Sequence, residues 1–202
     1  MNIALIFFAF VSTATPGPNN IMMLSSGVNF GVKRSVPHWL GIITGVPLMM
    51  AILGLLIGLG LETLFEQKPW IFTMIKWTGC SYLLFLAFKI ATLKEIKQTE
   101  LNNQKSSKPF TYLQGMLFQW VNPKAWIMCL GAISTFSNPN LNIISEVLTI
   151  SLTFFCVGFF GVGIWLVVGK QLQRLLSNTQ RRRIFNITMA TLLAGSIIPM
   201  ML

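Results

Sequence analysis

The chain contains no aspartate, one histidine (His38) and five glutamates, at Glu62, Glu66, Glu95, Glu100 and Glu146, in 202 residues. Paired carboxylates, an HExxH spacing and a glycine-rich phosphate loop are all missing. Acid–base hydrolysis and metal catalysis therefore have little to work with, and no metal or other cofactor is expected. Charge is scarce as well: 10% of residues are charged, against about 25% in soluble domains. With 53% hydrophobic residues and a mean hydropathy of +0.68, no stretch is polar enough to fold as a separate soluble domain. The three cysteines, Cys80, Cys129 and Cys156, lie in apolar segments with neither zinc spacing nor a disulfide-prone loop position. They read as small buried apolar residues.

What is present is long apolar sequence. A spanning helix needs about 20 such residues, and six segments qualify: about 2–28, 36–61, 69–91, 110–136, 143–169 and 184–202, the last barely. Val11-Ser-Thr-Ala14 resembles a signal-peptide cleavage site, but Met1-Asn2 supplies no basic region and apolar sequence resumes at Ile21. A retained first span is expected. The net charge of +10 does not form a nucleic-acid face, because the basic residues sit between the apolar segments. Lys33 and Arg34 mark the first connection, Lys89, Lys94, Lys97, Lys105 and Lys108 the third, and Lys170, Arg174, Arg181, Arg182 and Arg183 the fifth. The second has only Lys68, with Lys76 just beyond it, and the fourth has none. Lysine and arginine favour the cytoplasmic side. The pattern predicts a multi-pass membrane protein with both termini outside and lipid around it.

The expected fold is all-α and integral to the membrane, one transmembrane domain over 1–202. Six spans divide into two halves of three, about 1–93 and 110–202, joined by a basic cytoplasmic loop, 94–109. An odd number of spans per half makes the halves inverted repeats. Each half opens with a broken span. The first is interrupted at Thr15-Pro-Gly-Pro-Asn-Asn20, hence at Pro16 to Pro18, and the fourth at Asn122-Pro-Lys124, hence at Pro123. Proline removes a helical hydrogen bond but suits the first position of a helix behind a polar cap. Thr15-Pro16 and Asn122-Pro123 both fit that pattern, so each is expected to start a half-helix inside the membrane. Half-helix starts offer unpaired N–H groups and the positive end of a dipole to an anion such as a carboxylate. The candidate substrate-binding residues are Pro16, Gly17, Pro18, Asn19, Asn20, Asn122, Pro123 and Lys124. The alternative is that both prolines merely kink their spans.

Lys124 is the sharpest feature. Its side chain reaches ~6 Å, against ~15 Å from the midplane to the interface, so snorkelling cannot rescue it. No acidic residue lies in the central third of any span. Its partner is then a backbone carbonyl, water or a bound anion, and it is alternatively a titrating member of a proton relay. The other features read as structural. Gly41 and Gly45, Gly54 and Gly58, and the glycines of 158–163 allow close helix packing. His38 reads as an interfacial or capping residue, Trp39 and Trp70 as belt aromatics, and Trp126 as a cavity wall. Ser25 and Ser26 either line the cavity near the first break or bond their own helix.

These residues resemble a known family. Thr15-Pro-Gly-Pro-Asn-Asn-Ile21 with Gly31, Gly41 and Gly45, Gly79-Cys-Ser-Tyr-Leu83 with Lys89, and Phe110, Gly115 and Asn122-Pro-Lys-Ala125 are similar to the signatures of the lysine exporter (LysE/RhtB) translocators. Ser25-Ser26, Gln119 through Lys124 and Ser134-Thr-Phe136 look most like its cysteine/O-acetylserine exporter subgroup. Lys76 departs from the pattern. The resemblance implies a secondary transporter, not an enzyme, that exports a small amino-acid substrate from the cytoplasm, with protons as the coupling ion. Cysteine, O-acetylserine, homoserine and threonine are the kinds of cargo it implies. The alternative is a channel or a non-transporting membrane scaffold. Cation pores want acidic rings, which are missing. Nothing in the sequence fixes the oligomeric state.

Overall fold

The computed structural model describes residues 2–58, 67–68, 70–93, 109–138, 141–176 and 178–198. Glu62, Glu66, Glu95, Glu100 and nearly all of the joining loop 94–109 lie outside the described residues. Every described element is helical. They are α1 (Ile3–Ala14), α2 (Pro18–Gly58), α3 (Trp70–Ala91), α4 (Tyr112–Phe118), a single 3-10 turn (Gln119–Val121), α5 (Pro123–Phe136), α6 (Ile143–Leu175) and α7 (Thr179–Gly195). Local signals set most boundaries. The Asn2, Asn142 and Asn178 side chains cap α1, α6 and α7. Thr111 and Gln114 form a reciprocal capping box at α4, satisfying two N–H groups that the helix leaves open. Among the described residues, three helices are long and apolar enough to cross a membrane: Pro18–Gly58, Thr73–Ala91 and Ile143–Leu175.

Three expectations need correction. The first connection, 29–35, is not a loop. Helix α2 runs through it with one non-helical residue, Gly31, at φ 74° and ψ 174°. Only glycine enters that region without strain, and one such residue reverses the chain. Ser26 consequently meets both Ser35 and His38 across the turn, with Ser35 Oγ donating to Ser26 O at 3.1 Å and Ser26 Oγ 3.0 Å from His38 Nδ1. Second, α6 runs on to Leu175, so Lys170 and Arg174 belong to a helix instead of a loop. Third, the half-helix after the first break begins at Pro18, not Pro16. Thr15 closes α1 instead, its N–H donating to Val11 O, which leaves Pro16 and Gly17 as the linker.

Helix α2 packs chiefly on α6, α1 also lies on α6, and α3 pairs with α7. Small residues make these approaches possible. A methyl placed on Gly27 would lie 2.5 Å from Leu166 O and 3.0 Å from the Gly169 Cα. One apolar core gathers Ala9, Met49, Met50, Cys129 and Phe154 around α1, the second half of α2, α5 and α6. Another joins Met22, Leu83, Leu86, Ile90 and Leu193 across α2, α3 and α7. Phe7, Phe88, Ile127, Leu152 and Phe160 stay exposed. A protein in water rarely shows so much continuous apolar surface, and a lipid-facing surface accounts for it. Cys156 is exposed, against expectation, while Cys80 and Cys129 are buried.

The Gly27–Gly169 crossing gives a direct test. Gly27→Ala forces backbone apart, an overpacking cost of about 1–3 kcal/mol. For a chain of this size that lowers Tm by roughly 3–10 °C, read by thermal unfolding in detergent. Gly195→Ala, whose added methyl meets nothing within 4 Å, leaves Tm unchanged.

Candidate functional site

Both interruptions free backbone groups that need partners away from water; Asn122 at the second is buried, whereas Thr15 and Pro16 at the first are exposed. Helix α1 ends at Ala14, so its last carbonyls lack intrahelical donors. Side chains from three other stretches supply them. Asn20 Nδ2 donates to Thr13 O and Thr15 O, both at 2.7 Å. Trp165 Nε1, from α6, donates to Ala14 O at 2.9 Å. Lys124 Nζ donates to Thr15 O at 3.0 Å, Thr15 Oγ1 at 2.9 Å and Pro16 O at 3.3 Å. All three ammonium protons are thus used, and the charge sits at the negative end of the α1 dipole. Of the three partners the sequence left open for Lys124, the structure has the backbone carbonyl, joined by a hydroxyl. Gly17 is what lets the lysine stem lie there, since a Cβ on it would come within 2.8 Å of Lys124 Cδ.

The second break is sharper. Asn122 alone leaves the helical region, at φ −94° and ψ 106°, with Pro123 opening α5. Its side chain does not cap the helix. Asn122 Oδ1 is buried and has no hydrogen-bond partner, and the same holds for Asn20 Oδ1. The Asn20 orientation is fixed, because its amide nitrogen must face the two carbonyls. Beside the breaks, Asn19 and Gln119 form a reciprocal amide pair. Asn19 Nδ2 donates to Gln119 Oε1 at 2.8 Å, and Gln119 Nε2 donates to Asn19 Oδ1 at 3.1 Å and to Gly115 O at 2.8 Å. Gln119 is fully buried, so this pair locks the first broken span to the fourth.

Two cavities meet at the breaks. The inner one, about 30 Å³, is bordered by Ser12, Thr13, Gly17, Asn19, Asn20, Asn122 and Lys124 on its polar side. Its apolar side is made by Ile42, Val46 and Pro47 of α2 and Phe154 and Val162 of α6. A water needs roughly 10–15 Å³ of such space, so it holds one or two waters. The outer groove, about 610 Å³, is bordered by Pro16, Gly17, Pro18, Asn122, Pro123 and Lys124 together with Ile75, Lys76, Trp126, Ile127, Leu130 and Ser196. All eight candidates from the sequence therefore border one cavity or the other. Gly17, Asn122 and Lys124 border both.

Other expectations fare differently. Ser25 and Ser26 do not border either cavity. Ser26 pairs with His38, and Asn29 Nδ2 donates to Ser25 O at 2.9 Å. His38 is not interfacial but wholly buried, its ring 4.9 Å from that of Phe110. It was misplaced because the chain reversal at Gly31 folds it against the first span. Trp126 does wall a cavity, as expected. Thr15 and Gln119 are the polar residues that sequence reasoning passed over. A glutamine three positions before Asn122 in an apolar span was the available signal. Among the described residues no group of three or more His, Cys, Asp or Glu could hold a metal ion.

Comparison with known proteins fits this geometry. Residues 10–198 match the family model described as LysE type translocator. The chain is 32% identical over 187 residues to the cysteine/O-acetylserine efflux proteins of Escherichia coli (strain K12), Shigella flexneri serotype 5b (strain 8401) and Shigella sonnei (strain Ss046). Each alignment covers 92% of this chain and 90% of the relative. No solved structure matches. The apolar helices and the family match together make this a multi-pass membrane transporter, and the chain belongs to the LysE type translocator family.

Proposed function

We propose that the protein exports small amino acids or their derivatives from the cytoplasm across the inner membrane, and that the inner cavity is where the cargo binds. Cysteine and O-acetylserine head the cargo classes, since the relatives named above are efflux proteins for these compounds; homoserine and threonine follow. The observation that carries this reading is the pair of unused acceptors beside a lysine on one cavity. Asn20 Oδ1 and Asn122 Oδ1 are buried acceptors without donors, and an α-ammonium supplies donors. Lys124 Nζ, once it gives up one of its present partners, and the N–H groups at the starts of α2 and α5 are donors suited to a carboxylate. A zwitterion presents one charged group to each set.

The cavity at its present size excludes an amino acid, because ligand sites run to about 300 Å³ or more. The conformation is therefore closed around the site, and loading requires Lys124 to give up part of its hold on Thr15 and Pro16. We read the chain as one domain whose two inverted halves, about 1–93 and 110–202, rock about the breaks, with both termini outside. Protons are the coupling ion in this reading. With no described carboxylate beside the breaks, either Lys124 carries the proton or the coupling is indirect.

Lys124→Met tests the core of the proposal. The variant is expected to reach the membrane at the level of the unaltered protein and to lose efflux of labelled cysteine or O-acetylserine by at least about tenfold, the worth of one charge-assisted hydrogen bond. Full efflux by the variant removes Lys124 from the mechanism. Labelled-substrate counterflow in proteoliposomes separates a carrier from a channel, which gives flux without exchange, and from a scaffold, which gives neither. Efflux from cells should collapse on adding an uncoupler.

Asn122→Ala tests the ammonium half. It removes an acceptor without breaking any described hydrogen bond. Competition assays should show the preference for an amino acid over the same acid lacking its ammonium group falling roughly tenfold. An unchanged preference assigns the ammonium elsewhere.

A further inference from the structure

The outer groove holds a second cation that the binding reading above does not use. Lys76 lies six residues into α3, about 9 Å along the helix from its start, and is half-buried. Together with Lys124 it borders the same 610 Å³ groove. Among the described residues no acidic residue borders that groove. Its remaining walls are the linker residues Pro16 and Gly17, then Pro18, Asn122, Pro123 and Ser196, and the apolar side chains Ile75, Trp126, Ile127 and Leu130. Among the described residues no hydrogen-bond partner is found for the Lys76 ammonium, whereas Lys124 has three. Two ammonium groups on one concave, largely apolar wall focus a positive potential there and draw in an anion. A lysine that only snorkelled to the interface would not need to share a groove with Lys124.

The partition between the two spaces is also specific. Gly17, Asn122 and Lys124 border both the small inner cavity and the large groove, so the Lys124 stem and the two breaks are the wall between them. The groove lies on the side where α3 begins, α7 ends and α5 proceeds from its first turn. In the proposed topology that is the outward side.

We propose that this groove is a second carboxylate-receiving station, with Lys76 as its binding residue and Lys124 as the movable partition from the inner cavity. The occupant is the exported amino acid on its way out, so the proposal rests on the exporter reading. A carboxylate released by Lys124 from the inner side would find Lys76 next. The groove is within the size range of small-molecule sites, roughly 300–1,000 Å³.

The test uses the full chain carrying Cys156→Ser and Ile127→Cys, reconstituted in vesicles of phosphatidylcholine alone. Ile127 is 74% exposed and borders the groove. Leu130→Cys serves as a second reporter should the first fold poorly. An anionic methanethiosulfonate is expected to label the reporter about tenfold faster than a cationic one. Lys76→Gln should bring the two rates together, and Lys76→Arg should keep them apart. Millimolar O-acetylserine should slow the anionic reagent when Lys76 is present and have no effect in Lys76→Gln. Equal rates for both reagents, or a preference that survives Lys76→Gln, overturns the proposal. So does labelling by a lipid-soluble maleimide alone, the result for a groove filled by acyl chains. Anion preference without protection by O-acetylserine also overturns it, since the station would not receive the cargo. A chain that fails counterflow with every amino acid but keeps the Lys76-dependent preference and protection sinks the exporter reading and leaves the carboxylate station standing.

Discussion

A broken backbone away from water needs other donors for its carbonyls, and at the end of α1, where Thr13 is buried and Thr15 and Pro16 are exposed, side chains supply them. Four consecutive carbonyls, from Thr13 to Pro16, lose their helical donors there. The donors that replace them come from α2, α5 and α6, through Asn20, Lys124 and Trp165. One helix terminus thereby ties together elements far apart in sequence. The same constraint explains how a lysine is tolerated at that depth. Among the described residues no carboxylate neutralises its charge. It is spread over two carbonyls and a hydroxyl at the negative end of a helix dipole. Removing the lysine would leave those acceptors without this donor, so its structural role and the binding role proposed for it share one set of atoms.

The two breaks are alike in the sequence but serve different ends in the structure. The first is a linker, Thr15 to Gly17, whose carbonyls are fully used. The second is a single extended residue, Asn122, whose side-chain oxygen is not used. Acceptors at the first break are spent on holding the fold, while acceptor capacity remains on Asn20 and Asn122, two residues that border the inner cavity. This asymmetry is what the proposed binding site rests on. A kink needs its backbone groups satisfied and nothing else, whereas here two buried acceptors on residues of one small cavity are left open.

Features that depend on a stretch of sequence were legible, and features that depend on a partner were not. The apolar segments, both interruptions and the oddity of Lys124 all follow from residue type against local background. The exact start of the half-helix at Pro18 did not follow. Thr15 can cap a helix or end one, and its N–H bond to Val11 O decides the matter. The reversal at Gly31 was hidden because a glycine between Phe30 and Val32, just ahead of Lys33 and Arg34, looks like the start of any short basic loop. Once it closes, His38 moves from a presumed surface to the core. Gln119 was a polar residue in an apolar span, but its partner Asn19, a hundred positions earlier, was not legible. Lys76 stood out only as a departure from the family pattern until the structure put it on the same groove as Lys124.

The hydrogen bonds of Lys124 also suggest how cargo and conformation are connected on the exporter reading. Three N–H donors hold three acceptors, so a carboxylate can reach the ammonium only by displacing at least one of them. Each displaced acceptor belongs to the end of α1 or its linker. Binding an anion therefore loosens the tie between α5 and the first break in the act of binding. A carboxylate offers a stronger acceptor than a carbonyl, so the exchange favours the cargo once it arrives. In its absence the carbonyls reclaim the lysine and the cavity shrinks to the volume of a water or two. The closed state then needs no separate latch. On the proposed reading the residue that receives the cargo is the one that holds the empty site shut, and the cost of opening is met only when a carboxylate takes the place of α1.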